Sequence, residues 1–157
     1  MRVTLLVIGK TTDASIQRLI DDYKSRLQHY VGFDIEVIPE IRNTKALSEA
    51  QQKTMEAALI SRAVQASDQV VLLDEHGAEF RSIEFASMIQ KRMASGIRRL
   101  LFIVGGPYGF DSAVRSQYKE AVSLSKMTFS HQLIRLLFVE QLYRAFTIIN
   151  HEPYHHE

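Results

Sequence analysis

Hydrophobic positions along the chain switch between two periods. Apolar runs or strict alternations of strand length occur at Val3–Ile8, Phe33–Ile38, Val70–Leu73 and Leu100–Val104, with a shorter run at Ala121–Leu124. Between them the period becomes that of a helix. Ile16, Leu19, Ile20, Tyr23 and Leu27 share one face, with Asp13 or Ser15 placed to cap its start. Met55, Leu59 and Ala63 make a second stripe, and Phe85, Ile89 and Met93 a third.

Strands alternating with helices of this length predict an α/β fold: a mostly parallel sheet of five to six strands with helices on both faces. Val70–Leu73 and Leu100–Val104 lack polar alternation and are expected mid-sheet, buried on both sides. Ligands in such sheets collect at the carboxyl ends of the strands. Here those ends run into Asp74-Glu75-His76-Gly77 and Gly105-Gly106-Pro107-Tyr108-Gly109, two segments with unusual backbone demands.

The last helix, about His131 to Ile149, is apolar nearly all the way round, through Leu133, Ile134, Leu136, Leu137, Phe138, Val139, Leu142, Tyr143 and Phe146. A helix covering one face of a single domain keeps a polar side, so this girdle predicts a homodimer. Ser130 is the expected cap of that helix.

Composition narrows the function more than the fold. With 157 residues, 46% of them hydrophobic and 24% charged, the chain is expected to form one domain over residues 1–157. The formal charge of +1 gives no general attraction to nucleic acid, so any RNA contact must be local. The absence of cysteine excludes a catalytic thiol and thiolate-bound zinc. The opening apolar run, Val3–Ile8, is too short for a signal segment or a membrane span, and a cytoplasmic protein without membrane contact is expected.

Candidate chemistry lies at the strand ends and in the last quarter of the chain. The Gly105–Gly109 segment lacks both the Lys-Ser/Thr of a phosphate-binding loop and Gly-x-Gly-x-x-Gly spacing, leaving a backbone that bends sharply and approaches a ligand closely. Leu124-Ser125-Lys126-Met127-Thr128-Phe129 offers backbone polar groups beside apolar walls, which suits an adenine ring or thioether better than a triphosphate. His131 and Arg135 share a face near the start of the last helix, and Glu140 and Arg144 repeat that spacing, most simply as a helix salt bridge. His151 and His155 flank Pro153, which breaks the geometry a metal would need, so no metal is expected. Lys91, Arg92, Arg98 and Arg99 form the densest basic cluster.

Taken together, Leu73-Asp74-Glu75-x-Gly77, Ile103-Val104-Gly105-Gly106-Pro107-Tyr108-Gly109, Leu124-Ser125-Lys126-Met127-Thr128-Phe129-x-His131-Gln132, Glu140-Gln141-Leu142-Tyr143-Arg144-Ala145 and Pro153-Tyr154-His155 form an ordered set spanning the chain. The set resembles the ribosomal RNA large-subunit methyltransferase H family. The resemblance implies a SPOUT-class fold with a deep C-terminal trefoil knot and a homodimer. It also implies S-adenosylmethionine as cofactor and methylation of N3 of a pseudouridine in 23S ribosomal RNA, on the assembled 70S ribosome. It assigns cofactor contacts to Leu73, Gly105, Leu124, Ser125, Lys126, Met127, Thr128 and Phe129.

On this reading His131, Arg135, Tyr154 and His155 are the candidates for assisting proton loss from N3, and Arg144, Arg98 and Arg99 those for holding RNA phosphates. Two positions depart from the family pattern: Ser130 stands where proline is common, and His156 where the tail usually carries Lys or Arg. The rival reading is a non-catalytic ribosome- or RNA-associated factor with the same fold.

Overall fold

The five expected runs all form strands in the computed structural model, which describes residues 1–157. They are β1 (Arg2–Ile8), β2 (Gly32–Ile38), β3 (Asp68–Glu79), β4 (Arg99–Val104) and β5 (Ala121–Ser123). Every pairing is parallel, in the order β2-β1-β4-β3-β5. As their apolar runs predict, β3 and β4 are interior, and Leu100 to Val104 are all buried. β3 lies one strand in from the edge, flanked there by only three residues of β5.

Helices cover both faces. α1 (Ala14–Leu27), α3 (Ser82–Ala94) and α5 (Leu133–Ile149) pack over Val3, Leu5, Val7, Leu100 and Phe102, while α2 (Glu49–Ala63) and α4 (Ser112–Gln117) cover Leu6, Ile8, Leu101 and Ile103. Asp13 caps α1, its carboxylate accepting from the N–H groups of Ser15 and Ile16, and Ser48 and Gln51 form a reciprocal capping box on α2.

Two expectations need correction, and one argument loses its force. The buried face of α2 is Gln52, Glu56 and Ile60, turned from the apolar stripe, so Met55 is left exposed. Two polar side chains occupy that inner face, and an apolar count cannot find such a face. β3 does not end at Leu73 but continues to Glu79, with a register shift against β5 between Leu73 and Ala78. Asp74–Gly77 is therefore a bulge within a strand. Finally, α5 lies between α1 and α3 on the sheet, so neighbours within the chain bury much of its apolar girdle, and the girdle alone does not require a second copy.

The basic cluster also changes meaning. Arg98 and Arg99 sit at the amino end of β4, the opposite end from the glycine turn. Arg99 is bound by Asp68 Oδ2 at 2.5 Å, by Glu36 and by the Ala63 carbonyl. It is thus a structural cation and not a free hand for phosphate, whereas Arg98 is exposed. Burial pushes the Asp68 acid up, but hydrogen bonds from Arg99 and the Gln65 N–H outweigh it and hold the carboxyl below its ordinary range. The Asp68 side chain has no exposed area, so Asp68→Ala is expected to cost about 3 kcal/mol in a urea titration. Because its folded-state acidity is lowered, the stabilisation is present above the ordinary carboxylate pKa and is lost as pH falls through the lowered value. Acid unfolding of Asp68→Ala should consequently be shallower than that of the parent.

Candidate functional site

At the carboxyl ends of β3, β4 and β5 the molecule opens into a cavity of about 620 Å³. Three stretches that sequence alone singled out build it. β3 and its bulge contribute Leu73, Asp74, Glu75 and His76; the turn after β4 contributes Val104 and Gly105 to Phe110; and the chain after β5 contributes Leu124, Ser125, Met127, Thr128, Phe129, Ser130 and His131. Val122, Ile134 and Arg115 complete the wall.

The glycine turn is tight. Gly109 N–H donates to the Gly106 carbonyl at 3.0 Å, and Gly109 has φ +78°, which favours glycine. A Cβ on Gly105 would lie 3.2 Å from the Gly109 carbonyl carbon, so any side chain there presses on the turn itself. Arg115 and Asp74 pair at 2.9 Å across the wall, and Asp74 Oδ1 also accepts from the His76 N–H at 3.0 Å.

The third wall is anchored at its far end. Past β5 the chain crosses the carboxyl ends of β3 and β4 to reach that of β1. Thr128 Oγ1 donates to Glu75 Oε2 at 2.7 Å, and the Gln132 side chain joins the Thr12 N–H and the Lys10 carbonyl. Ser130 Oγ accepts from the Leu133 N–H at 3.1 Å, so it caps α5 as expected although the regular helix starts at Leu133.

Arg135 completes the anchor. Its side chain is buried, with Nη2 on the Ile8 carbonyl and Nη1 on the Gly9 carbonyl, both at 2.9 Å, and it also holds Thr11 Oγ1 and the His131 carbonyl. Burial lowers its pKa, with the Glu40 charge acting the other way. It does not line the cavity; its donors are directed to these partners and tie the start of α5 to the end of β1.

Of the expected cofactor contacts, all line the cavity except Lys126, whose side chain points into solvent near Glu79. Of the four candidates for proton handling, only His131 lines it. Tyr154 and His155 lie on the outer side of α1 and α5, where Tyr154 Oη meets Glu140 Oε1 at 3.0 Å and Tyr23 Oη at 3.3 Å. Burial and these two partners push the Tyr154 phenol above its ordinary range. Arg144 binds Glu140 at 2.5 Å and contacts His155 Nδ1, the helix bridge its spacing suggested.

Asp74, Glu75, His76, Tyr108, Phe110 and Arg115 also line the site. The first three were visible as an unusual strand end, but Arg115 rides on a six-residue helix that periodicity does not reveal. Tyr108 and Met127, 47% and 76% exposed, stand at the mouth.

A family model described as "Predicted SPOUT methyltransferase" matches residues 1–155. The chain belongs to the SPOUT methyltransferase family. Over its whole length, and theirs, it is 56% identical to a protein of Parabacteroides distasonis and 57% identical to one of Phocaeicola vulgatus. A Flavobacterium johnsoniae protein is 53% identical over the same full length. All three are named ribosomal RNA large subunit methyltransferase H.

SPOUT methyltransferases take the methyl group from S-adenosylmethionine, and the cavity suits that molecule. The donor carries no phosphate, and no lysine lines the wall. Leu73, Val104, Leu124 and Phe129 provide apolar surface, and Gly105 leaves the backbone open to close approach. No helix is long and apolar enough to cross a membrane.

Proposed function

We propose that this SPOUT methyltransferase methylates N3 of a pseudouridine in 23S ribosomal RNA, using the β3–β4–β5 cavity as its donor site and the assembled 70S ribosome as its substrate. The carrying observation is a cavity of about 620 Å³, walled by the three stretches that resemble the methyltransferase H family, in a chain matching relatives of that name end to end. A ribosomal substrate implies action in the cytoplasm.

S-adenosylmethionine supplies, when bound, a methyl group on a cationic sulfur. Leu73, Gly105, Leu124, Ser125, Met127, Thr128 and Phe129 would hold and orient it; most of the acceleration in such a displacement comes from alignment. Methylation at N3 displaces the proton carried there, so the site must take that proton up. His131, the one of the four proton-handling candidates that lines the cavity, would receive it.

The crossing of residues 124–132 over the strand ends is the segment that closes the trefoil knot in this reading. The homodimer forms through the outward ridge of α5, where Leu133 is 37% exposed and Leu137 and Ile148 are half-buried. A monomer in sedimentation at micromolar concentration would remove the dimer.

The tail serves RNA and not the donor, since Tyr154 and His155 lie away from the cavity. Truncation after Glu152 is expected to change S-adenosylhomocysteine affinity by less than about threefold while lowering methyl transfer ~10-fold or more. Equal losses in both would show that the tail only supports the fold. Substrate specificity is tested by digesting RNA labelled by the enzyme to nucleosides: 3-methylpseudouridine is expected, and a methyl group on any other nucleoside or atom would overturn the assignment.

A further inference from the structure

We infer that Glu56 is a positioning residue for the cofactor, its buried carboxyl seating the Gly105–Gly109 turn from behind. The inference rests on the cavity being the donor site. Glu56 lies on the inner face of α2, is 3% exposed, and takes no part in lining the cavity. Its Oε1 accepts from Gln52 Nε2 at 3.1 Å, while Oε2 is buried without any partner. That carboxyl lies against the turn: a Cβ on Gly106 would fall 2.3 Å from Oε2 and 2.4 Å from Oε1. Gly106 is thus a glycine because a carboxyl fills the space behind it.

The opposite side of the same turn faces the cavity, through Gly105, Gly106, Pro107 and Tyr108. α2 grips the segment at a second point, where Thr54 Oγ1 meets Asp111 Oδ2 at 3.1 Å and Asp111 caps α4. The turn therefore rests on one helix at both ends, and its height relative to the strand ends is set there.

An unpartnered buried carboxyl oxygen is costly, and a leucine or methionine would fill the same volume without that cost. The group makes physical sense if it works in its neutral form. Burial pushes the acid up, which favours that form, and a neutral carboxyl has an O–H to donate. The turn it lies against offers the Gly106 carbonyl oxygen, which takes the Gly109 N–H and has a second lone pair. Donation to that oxygen would fasten the turn to α2.

The test is S-adenosylhomocysteine binding by calorimetry, with full-length protein, for the parent, Glu56→Gln, Glu56→Met and Gly105→Val. Glu56→Gln, which keeps a neutral donor, is expected to bind within about threefold of the parent. Glu56→Met, which keeps the volume alone, should bind ~10-fold more weakly, raising KM for S-adenosylmethionine with little change in kcat. Parent-like affinity in Glu56→Met would overturn the positioning role, and equal loss in Glu56→Gln would overturn the hydrogen-bonding one. If Glu56→Met does not unfold cooperatively, Gly106→Ala places a methyl against the same carboxyl and is read in the same assay; parent-like affinity there also overturns the proposal. Gly105→Val separates the two claims, because parent-like affinity in that variant would show that the cavity itself is not the donor site.

Discussion

Gly105→Val is expected to weaken S-adenosylhomocysteine binding ~30-fold or more while leaving a cooperatively folded protein. Even a single Cβ at this position comes within 3.2 Å of the Gly109 carbonyl carbon and 3.3 Å of its oxygen, and valine adds two methyl groups in the same space. Overpacking of this kind costs about 1–3 kcal/mol. Here the cost falls on the turn that forms one wall of the cavity, where a shift of the backbone changes its shape directly. A loss of about 2 kcal/mol in binding corresponds to ~30-fold in affinity. Calorimetry on the purified variant decides it, and unchanged affinity would show that the cavity is not the donor site.

Arg135→Ala is expected to lower folding stability by roughly 3 kcal/mol and to weaken cofactor binding along with methyl transfer. The guanidinium is 1% exposed and holds the carbonyls of Ile8 and Gly9, the Thr11 hydroxyl and the His131 carbonyl. Each buried carbonyl left unpaired costs about 1–3 kcal/mol, with lost packing in addition. The second effect follows from position. Arg135 ties the start of α5 to the end of β1, and the cavity wall from Leu124 to His131 hangs between that tie and β5. Urea unfolding and calorimetry together test this. Normal stability and normal binding with reduced turnover would instead return Arg135 to the chemistry that sequence spacing suggested for it.

That reversal shows where sequence stops being informative. His131 and Arg135 are four apart near a helix start, but spacing alone does not say which points into a cavity and which into the protein. The strands were legible because their apolar residues run together or alternate with polar ones over a strand's length, and the cavity because its three walls are continuous segments at strand ends. β3 looked shorter than it is, since Asp74 to Glu79 keeps extended backbone through a bulge that no apolar pattern marks. The inner face of α2 was misread for a related reason: Gln52 and Glu56 occupy positions an apolar stripe would have claimed. The girdle of α5 suggested a partner copy, whereas a helix with a sheet beneath and a helix on each side is apolar on three sides without one. Arg99 shows the same limit for charge, since its partners Asp68 and Glu36 are distant in sequence and adjacent only across the sheet.

The measurement closest to the central claim is transfer of labelled methyl from S-adenosylmethionine to ribosomes lacking the modification, with 70S particles, separated subunits and bulk transfer RNA in parallel. Each substrate is assayed with the parent and with Gly105→Val. Label confined to large-subunit RNA, strongest on 70S particles and lost with Gly105→Val, is the predicted result. Label in transfer RNA or small-subunit RNA, or none on any substrate with folded parent protein, would contradict it, and the last outcome would favour a non-catalytic ribosome-associated factor with the same fold.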